Sequence, residues 1–192
     1  MKLQVLFEER TNKETIDHLL EGVSRVVPVS LSLSVLGERY SKGGGWMYNL
    51  RHLGTKLSPS GLDEYLLIFT HTPFSYSGGG KSSVFEWIGK QEGSTRYAGL
   101  CDNEDRIIVV GGLNSRNDGN VVIASHEIAH AILKHPATWN FSEIHCENYV
   151  GNKRCIMNNT DTPETFEEVS LSFCQPCTDS LKEKAKDSPQ SF

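Results

Sequence analysis

The chain has 192 residues, of which 38% are hydrophobic and 22% charged, enough for one substantial core and too few for two full domains. A formal charge of -5, a pI near 5.8 and no basic run longer than two residues leave no electrostatic footprint for nucleic acid. No window approaches the ~18–20 consecutive apolar residues of a membrane span, so neither nucleic acid nor a membrane is expected as a partner.

The chain opens Met1-Lys2-Leu3-Gln4-Val5-Leu6-Phe7, where Leu3 to Phe7 reads as a first strand, and Glu8 and Glu9 interrupt the apolar run too early for a secretory signal. A cytoplasmic location is the resulting expectation. A helix follows from near Asn12, with Ile16, Leu19, Leu20 and Val23 on one face. The pattern then turns to period two: Val29, Leu31, Leu33 and Val35 alternate with Ser30, Ser32 and Ser34, which predicts a half-buried strand. Tyr65-Leu66-Leu67-Ile68-Phe69 and Ile107-Ile108-Val109-Val110 are continuous apolar runs suited to buried central strands, with a short strand between them near Arg96 to Cys101.

The glycine-rich segment Tyr76 to Ser83 superficially resembles a phosphate-binding loop. Ser75 stands where that motif needs its first glycine and no buried strand immediately precedes it, so a nucleotide site is not expected.

His126-Glu127-Ile128-Ala129-His130 reads H-E-x-x-H. Four residues apart on a helix, the two imidazoles share a face and can reach one metal ion, with Glu127 beside the water that ion activates. Zinc lowers the pKa of a bound water toward ~7 and a carboxylate takes its proton, which is the chemistry of amide hydrolysis. Such spacing also arises by chance. Here the apolar flanks, Val121-Val122-Ile123-Ala124 before and Ala131-Ile132-Leu133 after, predict a buried helix whose ring nitrogens and carboxylate need partners, and a metal provides them.

Four of the five cysteines follow this helix: Cys146, Cys155, Cys174 and Cys177, the last two as C-x-x-C. In a reducing compartment, thiols at such spacing are better read as a closed structural zinc site than as two disulfides. Cys101 stands apart and reads as a core thiol.

With these pieces in order, the chain resembles the archaemetzincins, a metzincin subfamily with a catalytic zinc and a second zinc held by four cysteines. The family pattern H-E-x-x-H-x-x-G-x-x-H-C, then C-x-M, then C-x-x-C, is matched by His126 to His130, His145-Cys146, Cys155-Ile156-Met157 and Cys174-Gln175-Pro176-Cys177. The resemblance is specific from about Ile123 to Cys177. It implies that Met157 occupies a tight turn forming an apolar floor beneath the zinc ligands, although methionine is also an ordinary core filler.

The chain departs from that pattern after His130. The position of the family's third ligand holds Pro136, and no glycine occurs before Gly151. On a continuing helix of ~3.6 residues per turn, His135 points about 140° away from His130, and it could serve only if the helix ended early, which its place before Pro136 allows. His145 is preferred as third ligand despite an insertion of about Ala137 to Ile144, because it keeps the His-Cys dipeptide; His135 is the alternative, and Glu164 or Glu167 would imply a different clan. Farther on, Asp161-Thr162-Pro163-Glu164 reads as a helix start, and Leu181 to Lys186 as a solvated helix end.

The expectation is a single domain over 1–185, with a mixed, mostly parallel sheet and the active-site helix in 1–134, the third-ligand loop, Met-turn and cysteine site in 135–185, and a disordered tail over 186–192. Its expected function is that of a zinc-dependent metallopeptidase with two zinc ions per chain, an aminopeptidase included, acting as a monomer on peptide or protein substrates. A zinc-stabilised binding module with weak or lost turnover is the alternative, and hydrolysis of non-peptide amides a third.

Overall fold

Among the described residues, five short strands form one sheet in the order β2-β1-β3-β5-β4: β1 (Lys2–Phe7), β2 (Ser32–Val35), β3 (Glu64–Phe69), β4 (Gly99–Asp102) and β5 (Ile107–Val110). All neighbours are parallel except β4, which runs antiparallel to β5 at the end of the sheet. Three helices are seen among the described residues: α1 (Lys13–Val26), α2 (Asp118–Leu133) and α3 (Gln175–Asp187). A computed structural model describes residues 1–36, 61, 64–71, 99–104, 106–112, 118–135, 145–158 and 168–187. The glycine-rich segment 76–83, residues 96–98 of the expected short strand, the insertion 136–144, the helix start at 161–164, Glu164, Glu167 and residues 188–192 lie outside these.

The alternation of side chains along a strand sorts the sheet into two faces. Leu3, Val5 and Phe7 stand level with Tyr65, Leu67 and Phe69, and these in turn with Ile108 and Val110, forming the face on which the helices pack. Phe7 and Phe69 stack with ring centroids 5.0 Å apart. The other face is also dry at the centre, since Leu6, Leu66, Ile68, Ile107 and Val109 are buried. That burial on both faces explains why β3 and β5 read as unbroken apolar runs.

Helix α1 begins where Asn12 caps it, its side chain accepting from the Thr15 backbone N–H at 2.8 Å. Ile16, Leu19 and Val23 face the core as their spacing predicts. Gly22 lets α1 approach α2 closely: a Cβ there would stand 2.6 Å from Cγ2 of Val121. At the opposite edge of the sheet, β2 is shorter than its alternation suggests, and Val35 is 45% exposed because it ends an edge strand.

The C-terminal part adds a hairpin of β6 (Tyr149–Val150) and β7 (Lys153–Arg154), turned at Gly151 with φ of 63°. Helix α3 continues through Asp187 and takes in Lys186, and Leu181 is completely buried. The stretch from Leu181 is solvated as expected at Lys182, Glu183, Lys184 and Lys186, but it is helix through Asp187 rather than a fraying end, and Leu181 anchors it to the core. Among the described residues, no helix is long and apolar enough to cross a membrane.

Candidate metal centre

Helix α2 is buried on nearly every side, from Gly119 through Ile132, with His126 and His130 each only 7% exposed. A helix apolar all round must lie inside the protein, so its two histidines are delivered to a dry interior. Their Nε2 atoms are 2.9 Å apart, as expected of an i, i+4 pair. The Nε2 of His145 lies 3.1 Å from that of His126. All three ligand atoms fall within 4.8 Å of one another.

The tautomer of His126 follows from its other nitrogen. Nδ1 is 2.7 Å from the Ile156 carbonyl oxygen, which can only accept, so Nδ1 carries the proton and Nε2 presents a lone pair to its neighbours. Protonating the ring is opposed by burial first, which together with the nearby imidazoles lowers its pKa to about 4. Burial, and then the charges of His126 and His135, push His130 down as well. Neutral imidazoles are what a metal requires. A tetrahedral zinc with bonds of ~2.0–2.1 Å spaces its nitrogens roughly 3.3 Å apart, so this donor set fits the ion with little adjustment.

Glu127 occupies the next position along α2 and reaches toward the end strand β4. A Cβ on Gly99 would overlap its Oε1 and stand 2.7 Å from its Cγ and 2.6 Å from Cγ2 of Ile123. Removal from water raises the pKa of this carboxyl to about 8. Cys101, two residues along on the same face of β4, is partly buried and its thiol is raised by burial, then by the charges of Glu127 and Asp102, as befits a core thiol.

The geometry of His135 differs from the extrapolation of a continuing helix. Helix α2 ends at Leu133; Lys134 turns left-handed with φ of 56°, and the His135 N–H closes back onto the His130 carbonyl at 3.1 Å. This is a helix stop of the kind usually built on glycine. The left-handed lysine costs about 1–2 kcal/mol, which the Lys134 Nζ hydrogen bond to the Tyr65 hydroxyl at 2.9 Å helps to offset. The turn brings His135 back beside His130, not away from it. Its Nδ1 meets His130 at Nδ1, 2.8 Å away, on the side of the ring remote from the three converging Nε2 atoms.

The second cluster joins Cys146, Cys155, Cys174 and Cys177, whose sulfurs also lie within 4.8 Å of one another. All five cysteines are free thiols. The hairpin β6–β7 delivers Cys155, and Cys174 and Cys177 flank the first turn of α3, where the helix dipole favours thiolate. Backbone N–H groups of Cys174 and Met157 point at the Cys155 sulfur at 3.2 and 3.4 Å. Hydrogen bonds from Cys155 and then Cys177 hold the Cys146 thiol down at about 4, while Cys177 is pushed up in return. Four sulfurs converging in this way form a donor set for a tetrahedral cation.

The turn Cys155-Ile156-Met157 links the clusters. Asn158 closes it by donating to the Cys155 carbonyl at 2.9 Å, Ile156 accepts from His126, and the Met157 carbonyl accepts from the Cys146 N–H at 3.0 Å. Met157 itself is 1% exposed. Sequence reasoning missed Tyr65, Asn103 and Lys134 as parts of the site, and it missed the contact of Gly99 with Glu127. Only Gly99 carried a local signal, since glycine inside a strand often marks close approach.

No family model matches the sequence, and no curated protein sequence matches it. Solved structures do share its architecture. The archaemetzincin from Methanopyrus kandleri superposes with a TM-score of 0.60 at 20% identity, over 97% of this chain and 96% of that one. The archaemetzincin from Archaeoglobus fulgidus, solved with malonate, gives 0.56 at 18% identity over 94% and 99%. A zinc-dependent peptidase from Methanocorpusculum labreanum gives 0.57 at 16% identity over 93% and 99%.

Proposed function

From an archaemetzincin fold with three converging imidazoles, two of them on the helix that also carries the half-buried Glu127, we propose that this protein is a zinc-dependent metallopeptidase with one catalytic and one structural zinc per chain. The observation that carries the reading is the meeting of the His126, His130 and His145 Nε2 atoms, with Glu127 next to the first of them in sequence. His126, His130 and His145 hold the catalytic ion; Cys146, Cys155, Cys174 and Cys177 hold the structural one. Zinc, when bound to the histidines, supplies a Lewis acid that polarises the scissile carbonyl and acidifies the attacking water.

Glu127 takes the proton of that water and passes it to the departing nitrogen. Burial favours its protonated form, and a cation held by the histidines would favour the carboxylate that a base needs. An extended peptide pairs with the backbone of β4 around Gly99 and Leu100, so that Gly99 sets the gap between substrate backbone and Glu127. Met157 supports the site as an apolar floor. The substrate is a peptide or protein, met by a cytoplasmic monomer with no role for nucleic acid or membrane. Release of N-terminal residues is the finer activity to assay beside internal cleavage.

Glu127→Gln should keep both zinc ions and lower peptide hydrolysis by about 10²–10⁴-fold, the range of a general base. His145→Ala should lose the catalytic ion and keep the cysteine-bound one. Unchanged hydrolysis by the glutamine variant would remove Glu127 as the base, whereas no hydrolysis by the zinc-loaded unmodified protein favours the alternative reading of a zinc-stabilised binding module.

A further inference from the structure

His126 and His130 each present Nε2 to the proposed metal position, and each has its Nδ1 tied to another group. For His126 that group is the Ile156 carbonyl at 2.7 Å; for His130 it is the His135 ring at 2.8 Å. An imidazole that binds a cation through Nε2 keeps its proton on Nδ1, so His130 donates and His135 Nδ1 accepts. This in turn requires the His135 proton to sit on Nε2.

The acceptor is rigidly held. The His135 N–H donates to the His130 carbonyl at 3.1 Å, and the His135 carbonyl accepts from Asn103 Nδ2 at 2.6 Å. Asn103 also reaches the His130 carbonyl at 3.3 Å and accepts from the Tyr65 hydroxyl at 2.6 Å. Tyr65 is 1% exposed in the central strand β3. The position of the His135 ring is thus referred to the core of the sheet through Asn103 and Tyr65, with Lys134 closing the network at the Tyr65 oxygen.

We infer that His135 is a positioning residue, a hydrogen-bond acceptor that fixes the tautomer and orientation of His130 and so tightens the hold on the catalytic zinc. The inference rests on the zinc site proposed above. Partners in this position around metal ligands typically contribute about 10–100-fold in metal affinity. The role belongs to the His135 Nδ1 lone pair rather than to ring volume, which makes it separable by substitution.

The test measures zinc affinity by chelator competition on the full chain, with the cysteine-bound ion retained. His135→Phe keeps a ring and removes the acceptor, and should weaken the histidine-bound zinc by about 10–100-fold. His135→Asn, whose Oδ1 stands where Nδ1 stood, should return affinity close to that of the unmodified protein. Cobalt substitution should show the same order, with the visible bands altered by phenylalanine and restored by asparagine. Independently of any variant, the ring ¹⁵N shifts of the zinc-loaded protein should report His135 protonated at Nε2. Equal zinc affinity in the phenylalanine variant, asparagine as weak as phenylalanine, or a His135 protonated at Nδ1 would each overturn the inference while leaving the zinc site intact. An unmodified protein that binds zinc only at its cysteines overturns both.

Discussion

Gly99→Ala puts a methyl group where Glu127 already lies. The added carbon would stand 2.7 Å from Cγ of Glu127 and 2.6 Å from Cγ2 of Ile123, and would overlap Oε1. Carbon atoms rest at ~3.5–4.0 Å, so roughly 1 Å must be opened. Helix α2 cannot easily yield it, because Ala124, Ile128 and Ala129 are fully buried beside Ile123. The free end of Glu127 is the easier group to move. A displacement of about 1 Å in a catalytic group costs about 10²-fold in rate, and overpacking costs about 1–3 kcal/mol. For a chain of this size that stability loss lowers Tm by roughly 2–12 °C. The assay is kcat and KM on a fluorogenic peptide with the zinc-loaded protein, accompanied by zinc content and thermal unfolding. The expected result is a large fall in kcat, two zinc ions retained and a modest fall in Tm. Full activity at unchanged stability would refute the packing of Glu127 against β4.

The Glu127 carboxyl predicts a pH dependence in the metal-free protein. Its folded pKa, about 8, lies above the ordinary carboxylate value, so its contribution to stability is full below that ordinary value and is lost as pH rises through about 8. Glu127→Gln should remove this slope, and urea titrations of both proteins between pH 5 and 8 will show whether the difference between them grows with pH. Cys174→Ser with Cys177→Ser should release one zinc and lower stability, since ligation is coupled to folding. Because Ile156 follows Cys155 and accepts from His126, the same double variant should also weaken the histidine-bound zinc, as chelator competition can measure; unaltered affinity there would show the two clusters to be independent.

Much of the scaffold was legible locally. The continuous apolar runs at Tyr65–Phe69 and Ile107–Val110 announced central strands because both faces of each strand are covered, and Asn12 announced the start of α1 because its side chain satisfies an orphan N–H. The meeting of His126 and His130 was legible too, since an α-helix brings residues four apart onto one face whatever surrounds it. The end of that helix was not. Extrapolation carried His135 away from His130, whereas a left-handed Lys134 turns it back, supported by a Tyr65 hydroxyl that is 69 positions distant in sequence. The approach of His145 to His126, the closure of four cysteines around one point and the close contact of Gly99 with Glu127 likewise depend on how distant segments return to the sheet. Spacing along a chain determines which side chains share a helix face or a strand face; which of those faces meet is decided only when the core closes.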